Sequence, residues 1–406
     1  MSFQNFPTND VVNALPTGYS NNSTSYGSSS CAVSYDGSKI AFGATQQTTD
    51  NGSQGIVQVY TNSGGAFTPE FTLSDPFSID GTEGFGNNIG TNISLNRDGT
   101  RLFVRNSNDQ LRFFNYDSGS NSWNWKQTIG NSRTYAISSN STNDALYTVN
   151  IRPIFGNPPS VNYDVYQFNG SIYSQIADNV ALDPQPGRGD SSTDHEAQCY
   201  YNENGGNPVL VLIVGDWQNQ RVIHYTYDFS SNTFGTGTTF SQAVSDFGIQ
   251  IQISQETNEE GEYLVVASSA GSFYVYTSPS FQNPNYTLLT TNSNSGTHGR
   301  WVAISSNTKY IITSNTVETV DGLSNAGKVN IYLPSGSTYV EDTNFVLSGT
   351  IANNFLGQNV AVDNETTLVG AGALIQNDNH NSRAMFNSTS MCLTDDSMIL
   401  KLVKIE

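Results

Sequence analysis

One unit recurs along this chain and limits what it can fold into: a short alternating strand, a tight turn, a second strand rich in small and β-branched residues, a polar loop, then an aromatic-rich third strand. Its clearest form is CAVSYDGSKIAFGA (residues 31–44), followed after a polar loop by GIVQVYTNSGGAFTPEFTL (residues 55–73). Asp36-Gly37 is the tight-turn pair, Gln58, Val59 and Tyr60 belong to the third strand, and Gly64-Gly65 turns into a fourth. A second copy reads NISLNRDGTRLFV (residues 92–104), LRFFNY (111–116) and then 123–129, with Asp98-Gly99 in the place of Asp36-Gly37. Weaker copies follow at 135–149 with 164–168, at 197–214 with 222–227, at 248–267 with 273–276, at 301–313 with 329–332, and at 359–373 with 398–405.

The first strands of these copies centre on Val33, Ile93, Ala136, Cys199, Ile251, Ala303 and Ala361, a period of about 55 residues. A four-stranded sheet of that size cannot bury both faces alone, whereas radial stacking covers each sheet with two neighbours and leaves only short edges. The expectation is an all-β fold: a single seven-bladed β-propeller of four-stranded antiparallel blades, with six or eight blades as the fallback. Helical solenoids are excluded, because no window carries apolar residues at i, i+3, i+4 and i+7. The seventh copy reaches its third strand at residues 398–405 and stops, while Asp10 to Leu15 is an unassigned apolar segment. Residues 1–24 are therefore expected to supply a closing strand to the last blade, so that N- and C-terminal strands close a propeller built from residues 25–406.

Composition narrows the function. Sixteen Lys and Arg stand against 35 Asp and Glu, a formal net charge of -19, so nucleic acid is excluded as a partner by repulsion. No stretch approaches the roughly 18 apolar residues of a membrane span, and the first fifteen residues lack the basic and apolar segments of a signal peptide. Neither membrane insertion nor classical secretion is expected. Cys31, Cys199 and Cys392 lie far apart without metal-ligand spacing and are expected to be small buried hydrophobes.

The repeat resembles FG-GAP and WD-repeat-like propeller units, whose pattern is Phe-Gly, an alternating strand, an Asp-Gly turn and a strand ending in Val-Gly-Ala. It stands here as Phe42-Gly43-Ala44 after Asp36-Gly37, Phe85-Gly86 before Asp98-Gly99, Phe247-Gly248, and Phe355-Leu356-Gly357 before Val369-Gly370-Ala371. The third and fourth copies lack the Asp-Gly turn. Low-charge, Asn/Ser/Thr-rich tandem repeats of this style also look like structural proteins of phages and other large viruses, including tail and fibre components. FG-GAP propellers often carry calcium in acidic loops, which makes Asp75, Asp80 and Glu83 the metal candidates, with Glu318 and Asp321 next. Neither set has the alternating spacing of a calcium loop, so no cofactor beyond weakly bound calcium is expected.

Catalytic constellations are missing from the sequence. His195, His224, His298 and His380 are scattered, and the densest ionisable run, Asp194-His195-Glu196, reads as a polar blade edge. Sialidase-like chemistry needs an arginine cluster, and this chain has ten dispersed arginines and no Trp-ended Asp-box. Paired carboxylates drawn from different blades remain open to a glycosidase. Arg188-Gly189-Asp190 sits in a Pro/Gly-rich loop and is the candidate for surface recognition. Trp123 and Trp125 share one strand face and are expected to pack between blades.

The expected function is a non-enzymatic structural or binding propeller, foremost a virion component made in the host cytoplasm that docks onto other protein subunits or a host-surface protein or glycan. The alternatives are a carbohydrate-binding or carbohydrate-active propeller and an intracellular WD-repeat-like interaction scaffold.

Overall fold

A computed structural model describes residues 30–404 apart from connecting segments, of which 75–88, 188–195, 255–261, 294–300 and 372–383 are the longest; from residue 363 onward it describes backbone alone. Apart from the small pair Thr48–Thr49 with Gly52–Ser53, the described strands form seven antiparallel sheets in chain order. Sheet 1 comprises Ser30–Val33, Lys39–Ala44, Ile56–Ser63 and Ala66–Ser74; sheet 2, Asn92–Leu95, Arg101–Arg105, Leu111–Asp117 and Ser122–Ile129; sheet 3, Thr134–Ile137, Tyr147–Ile154, Ser160–Phe168 and Tyr173–Ala181. Sheet 4 comprises Glu196–Asn204, Asn207–Asp216 and Arg221–Asp228, with its fourth strand in two pieces, Thr233–Phe234 and Thr238–Ser241. Sheet 5 comprises Gln250–Ile253, Glu262–Ala267, Ser272–Ser278 and Thr287–Ser293; sheet 6, Trp301–Ile304, Ile311–Asn315, Lys328–Ser335 and Thr338–Ser348; sheet 7, Asn359–Val362, Thr367–Ala371, Ala384–Thr394 and Ser397–Lys404.

Each of the seven residues that mark the sequence period lies in the first strand of its sheet. Side chains are described across six blades, the fallback count rather than the seven expected; the seventh sheet is described mainly in backbone. Its strand order corrects one assignment. Residues 398–404 form the fourth strand and not the third, because Ala384–Thr394 pairs with both Thr367–Ala371 and Ser397–Lys404. The closing strand expected from residues 1–24 lies outside the described residues.

The chain divides into two compact units, residues 1–128, 309–334 and 340–406 in one and residues 129–308 and 335–339 in the other. In the first unit the initial strands of sheets 2 and 7 lie against that of sheet 1, and in the second the initial strands of sheets 3, 4, 5 and 6 follow one another side by side. That is the geometry of propeller blades, whose first strands gather at the axis.

Alternation in the strands becomes apolar packing between neighbours. Ala41, Val57 and Val59 of sheet 1 meet Leu102, Val104 and Phe114 of sheet 2. Val149, Val161 and Val165 of sheet 3 meet Leu210, Leu212 and Tyr225 of sheet 4, whose other face presents Val211, Ile213 and Val222 to Leu264 and Val266 of sheet 5. Trp123 is buried against Phe71 and Tyr116, as its strand position implied. Its indole nitrogen donates to Glu70 at 3.1 Å, and Glu70 also pairs with Lys39. Burial raises the Glu70 carboxyl, but the hydrogen bonds from Lys39 and Trp123 more than offset it and hold it below its ordinary value. Cys31 and Cys199 are buried free thiols whose pKa burial pushes up.

Two local devices set the blades. The first is a polar residue just after the first strand. Ser34, Ser138 and Ser254 are fully buried, and their hydroxyls accept the backbone N–H of Lys39, Tyr147 and Tyr263 at 2.9–3.0 Å; the Asn96 amide accepts from Arg101 at 2.6 Å in the same way. Asp36 and Asp98 add bonds to Ser38 and Thr100, while Gly37 and Gly99, both at φ +67, close the turn.

The second device separates two kinds of glycine that the Phe-Gly pattern merges. Gly43 and Gly215 are the penultimate residues of second strands, as is Gly370 by backbone position. Gly90, Gly248 and Gly357, at φ +84, +92 and +92, instead precede the first strand of the next sheet and follow the fully buried Ile89, Phe247 and Leu356. The two kinds touch: a Cβ on Gly43 would lie 2.3 Å from the Gly90 carbonyl oxygen, and one on Gly215 would lie 2.1 Å from that of Gly248. Ser314 holds the equivalent place in sheet 6 and donates to the Gly357 carbonyl at 2.5 Å. Phe85-Gly86 lies outside the described residues, and Ile89-Gly90 holds the position expected of it.

Candidate functional site

In each antiparallel sheet the second-to-third connection and the connection leaving the fourth strand emerge at the same end. In the second unit these are 155–159, 182–195, 217–220, 242–249, 268–271 and 294–300; in the first they include 45–55, 75–91, 316–327 and 372–383. The opposite end is closed mainly by tight turns, such as 34–38, 96–100 and 229–232. The hairpins 217–220 and 268–271 and the connection 130–133 between sheets 2 and 3 span four residues each, so the longer segments serve something besides blade closure.

The best-built part of the long-loop end is the foot of the segment joining sheets 3 and 4. Residues 182–187 lie along sheet 4, and successive backbone oxygens are taken up by it. Gly237 N–H donates to the Asp183 carbonyl at 2.6 Å, the Tyr225 hydroxyl to that of Pro184 at 2.5 Å, and Arg221 Nη2 to that of Gln185 at 2.7 Å. Leu182 N–H bonds back to Val161 at 3.1 Å, and the Gln185 side chain bridges Val161 N–H and the Leu182 carbonyl. Burial, followed by the Asp216 and Asp183 charges against that of Arg221, keeps the Tyr225 phenol protonated far above its ordinary range, so it remains a donor.

Asp216, the last residue of the second strand of sheet 4, is fully buried and joins the pieces. Its Oδ2 accepts from Arg221 Nε at 2.7 Å and from Asn219 Nδ2 at 2.9 Å, and its Oδ1 from Gly187 N–H at 2.9 Å. A Cβ on Gly187 would stand 2.6 Å from Asn219 Nδ2 and 2.7 Å from Asp216 Oδ1, so a side chain here would push those two groups out of this arrangement. The segment 188–195 thus leaves from a fixed point and re-enters at Glu196, beside a short 3-10 turn, Trp217–Asn219, where Gln218, Asn219 and Gln220 are exposed.

Arg188, Gly189 and Asp190 lie outside the described residues, directly after this foot, as do Asp194 and His195. Asp75, Asp80 and Glu83 fall in the segment 75–88 and are also outside. Glu318 and Asp321 are described. They belong to a small hairpin in which Val320 and Leu323 exchange backbone bonds, Glu318 accepts from Asn315 at 2.6 Å, and Asp321 sits exposed at φ +50. Among the described residues no three His, Cys, Asp or Glu side chains are grouped to hold a metal, and no helix is long and apolar enough to cross a membrane. Sequence reasoning missed Asp216 and Arg221. The available signal was an acid closing the apolar run 209–214 with an arginine five residues on.

No protein-family model matches the sequence, and no curated protein matches it. Solved structures do. The β-propeller domain of Cps50 (Swd1) from Myceliophteria thermophila aligns with a TM-score of 0.55 at 12% identity, covering 93% of this chain and 98% of that one. The WD40 repeats of RRP9 align at 0.56 and 9% identity, covering 93% and 95%. A putative 6-phosphogluconolactonase from Bacteroides uniformis aligns at 0.51 and 13% identity, covering 80% and 85%. At these identities the likeness establishes the fold, a β-propeller of four-stranded antiparallel blades. It fits the WD-repeat half of the expected resemblance and gives no support to the FG-GAP half or to the link to viral particles, so it favours the WD-repeat-like alternative over the virion expectation. A fold shared by WD40 repeats and a lactonase-like protein does not by itself choose a function.

Proposed function

We propose that this chain is a non-enzymatic, WD-repeat-like interaction scaffold that binds protein partners through its long-loop end. The observation that carries the reading is the Asp216-centred foot: a buried carboxylate, an arginine, an amide and a glycine hold residues 182–187 in place at the start of the connection between sheets 3 and 4. A pre-positioned loop loses less conformational freedom when it docks, which is what a recognition loop requires. The acidic balance of the chain favours partners with basic surfaces. Attachment to a virion or to glycans is not part of this reading.

The test exchanges residues 188–195 for a Gly/Ser segment of equal length in the full chain. Wild type is expected to retain a stoichiometric protein partner through gel filtration, and the exchanged chain, with the same thermal midpoint, to lose it. Turnover of a sugar lactone or glycoside by the wild type, or a partner retained equally by both chains, would contradict the reading.

A further inference from the structure

The connection 279–286, between the third and fourth strands of sheet 5, does not stay on its own blade. Its Phe281 ring is fully buried and meets Tyr200 of sheet 4 edge-on at 5.2 Å, and its Tyr286 ring lies 4.7 Å from Phe240 of sheet 4. Two polar contacts pin it. Phe281 N–H donates to Glu262, a buried carboxylate on the second strand of sheet 5, and the Tyr286 hydroxyl lies 2.7 Å from Nδ1 of His224, on the third strand of sheet 4. Within the connection, Asn285 N–H donates to Ser278 Oγ, which donates to the Ser280 carbonyl, each at 3.0 Å.

We propose that residues 279–286 form an acid-releasable strap, held across sheet 4 by the hydrogen bond between Tyr286 and neutral His224 and let go when that histidine takes a proton. With Tyr286 donating, the neutral ring carries its proton on Nε2 and accepts at Nδ1. An imidazolium carries protons on both nitrogens, so this bond cannot persist in that sense, and the phenol proton would need a new acceptor beside the Phe240 and Phe281 rings. The titratable groups of the cluster around it are Tyr286, Tyr200, Tyr274, Tyr276 and Glu262. Tyr286 is held protonated by burial, reinforced by the Glu262 charge, and Glu262 is engaged by Phe281 N–H. On the strand of His224 itself, the Arg221 guanidinium is bound to Asp216.

His224 is 2% exposed, and burial lowers its pKa from 6.5 to about 4, with the Phe281 backbone opposing. The direction of the pH effect follows. Above pH 6.5 the ring is neutral whether the strap is closed or open. As pH falls from 6.5 toward 4 the exposed ring takes the proton first, so the opening equilibrium grows about tenfold per pH unit, and the closed form's advantage is fully lost below about 4.

The test is hydrogen exchange followed by mass spectrometry on the full chain between pH 7 and pH 4.5, corrected for intrinsic rates. In wild type, protection across 279–289 is expected to fall more than tenfold while the strand segment 209–214 stays protected. In His224→Gln that pH dependence disappears. Tyr286→Phe, which keeps the histidine but removes the bond, shows an open strap already at pH 7 and serves should the first variant fold poorly. Equal pH dependence in wild type and His224→Gln, or loss of protection in both segments together, would overturn the proposal, as would a His224 NMR titration midpoint above 6.

Discussion

Alanine at Gly215 is expected to lower the unfolding free energy by about 3 kcal/mol, at the upper end of overpacking substitutions. The added methyl would stand 2.1 Å from the carbonyl oxygen of Gly248, and that oxygen belongs to backbone that cannot rotate aside. Gly248 is fixed in turn: its N–H donates to the Ala267 carbonyl at 3.0 Å, and it holds φ +92, which a side chain tolerates poorly. Both residues lie where sheet 4 hands over to sheet 5, between the fully buried Val214 and Phe247. Relief therefore requires the two blades to separate locally, and the loss should appear as a lower denaturant midpoint with little change in slope. Gly130→Ala is the control, because nothing lies within 4 Å of its Cβ position, and it should be neutral or slightly stabilising. Equal midpoints for Gly215→Ala and Gly130→Ala would show that the close approach is not a constraint on the fold.

The second large effect belongs to Asp216. Its removal leaves Arg221, Asn219 and the Gly187 N–H without the carboxylate that engages them at 2.7–2.9 Å. Breaking a buried pair from one side costs about 3–5 kcal/mol, and the guanidinium is a quarter exposed, so about 3 kcal/mol is expected for Asp216→Ala. The distinguishing readout is local. Limited proteolysis should cut within 182–195 much faster in the variant at temperatures where both chains are folded, since the foot has lost its clamp. Unchanged cleavage there, with the same global destabilisation, would mean that Asp216 supports the blade but not the loop.

Much of the architecture was legible because period-2 alternation and Asp-Gly turns are local signals. Val33, Ile93 and Cys199 could be placed on first strands from their neighbours alone. What the sequence hid depends on contacts between distant residues. The role of Gly215 arises from Gly248, and Asp216 meets Gly187, 29 residues away, so that a buried carboxylate in Val-Gly-Asp-Trp looks like an ordinary loop acid. The fourth strand of the last sheet was misplaced because residues 384–394, rich in Asn, Ser and Thr, lack the aromatic pattern by which the third strands of earlier copies were recognised. The buried Ser34, Ser138 and Ser254 were within reach of sequence reasoning: each follows the first strand at once, where a hydroxyl competes well for a backbone N–H. The chemistry of the loop ends was least legible, since loop composition reports exposure more than purpose.

The central claim is that partners dock at the long-loop end, and photo-crosslinking addresses it directly. A photoreactive residue is placed either at Gln218, exposed beside the Asp216 foot, or at Ser231, exposed in the tight turn at the opposite end of the same sheet. The account predicts that the retained partner is captured in high yield from position 218 and not from position 231. Capture from 231 alone, or equally from both, would contradict it.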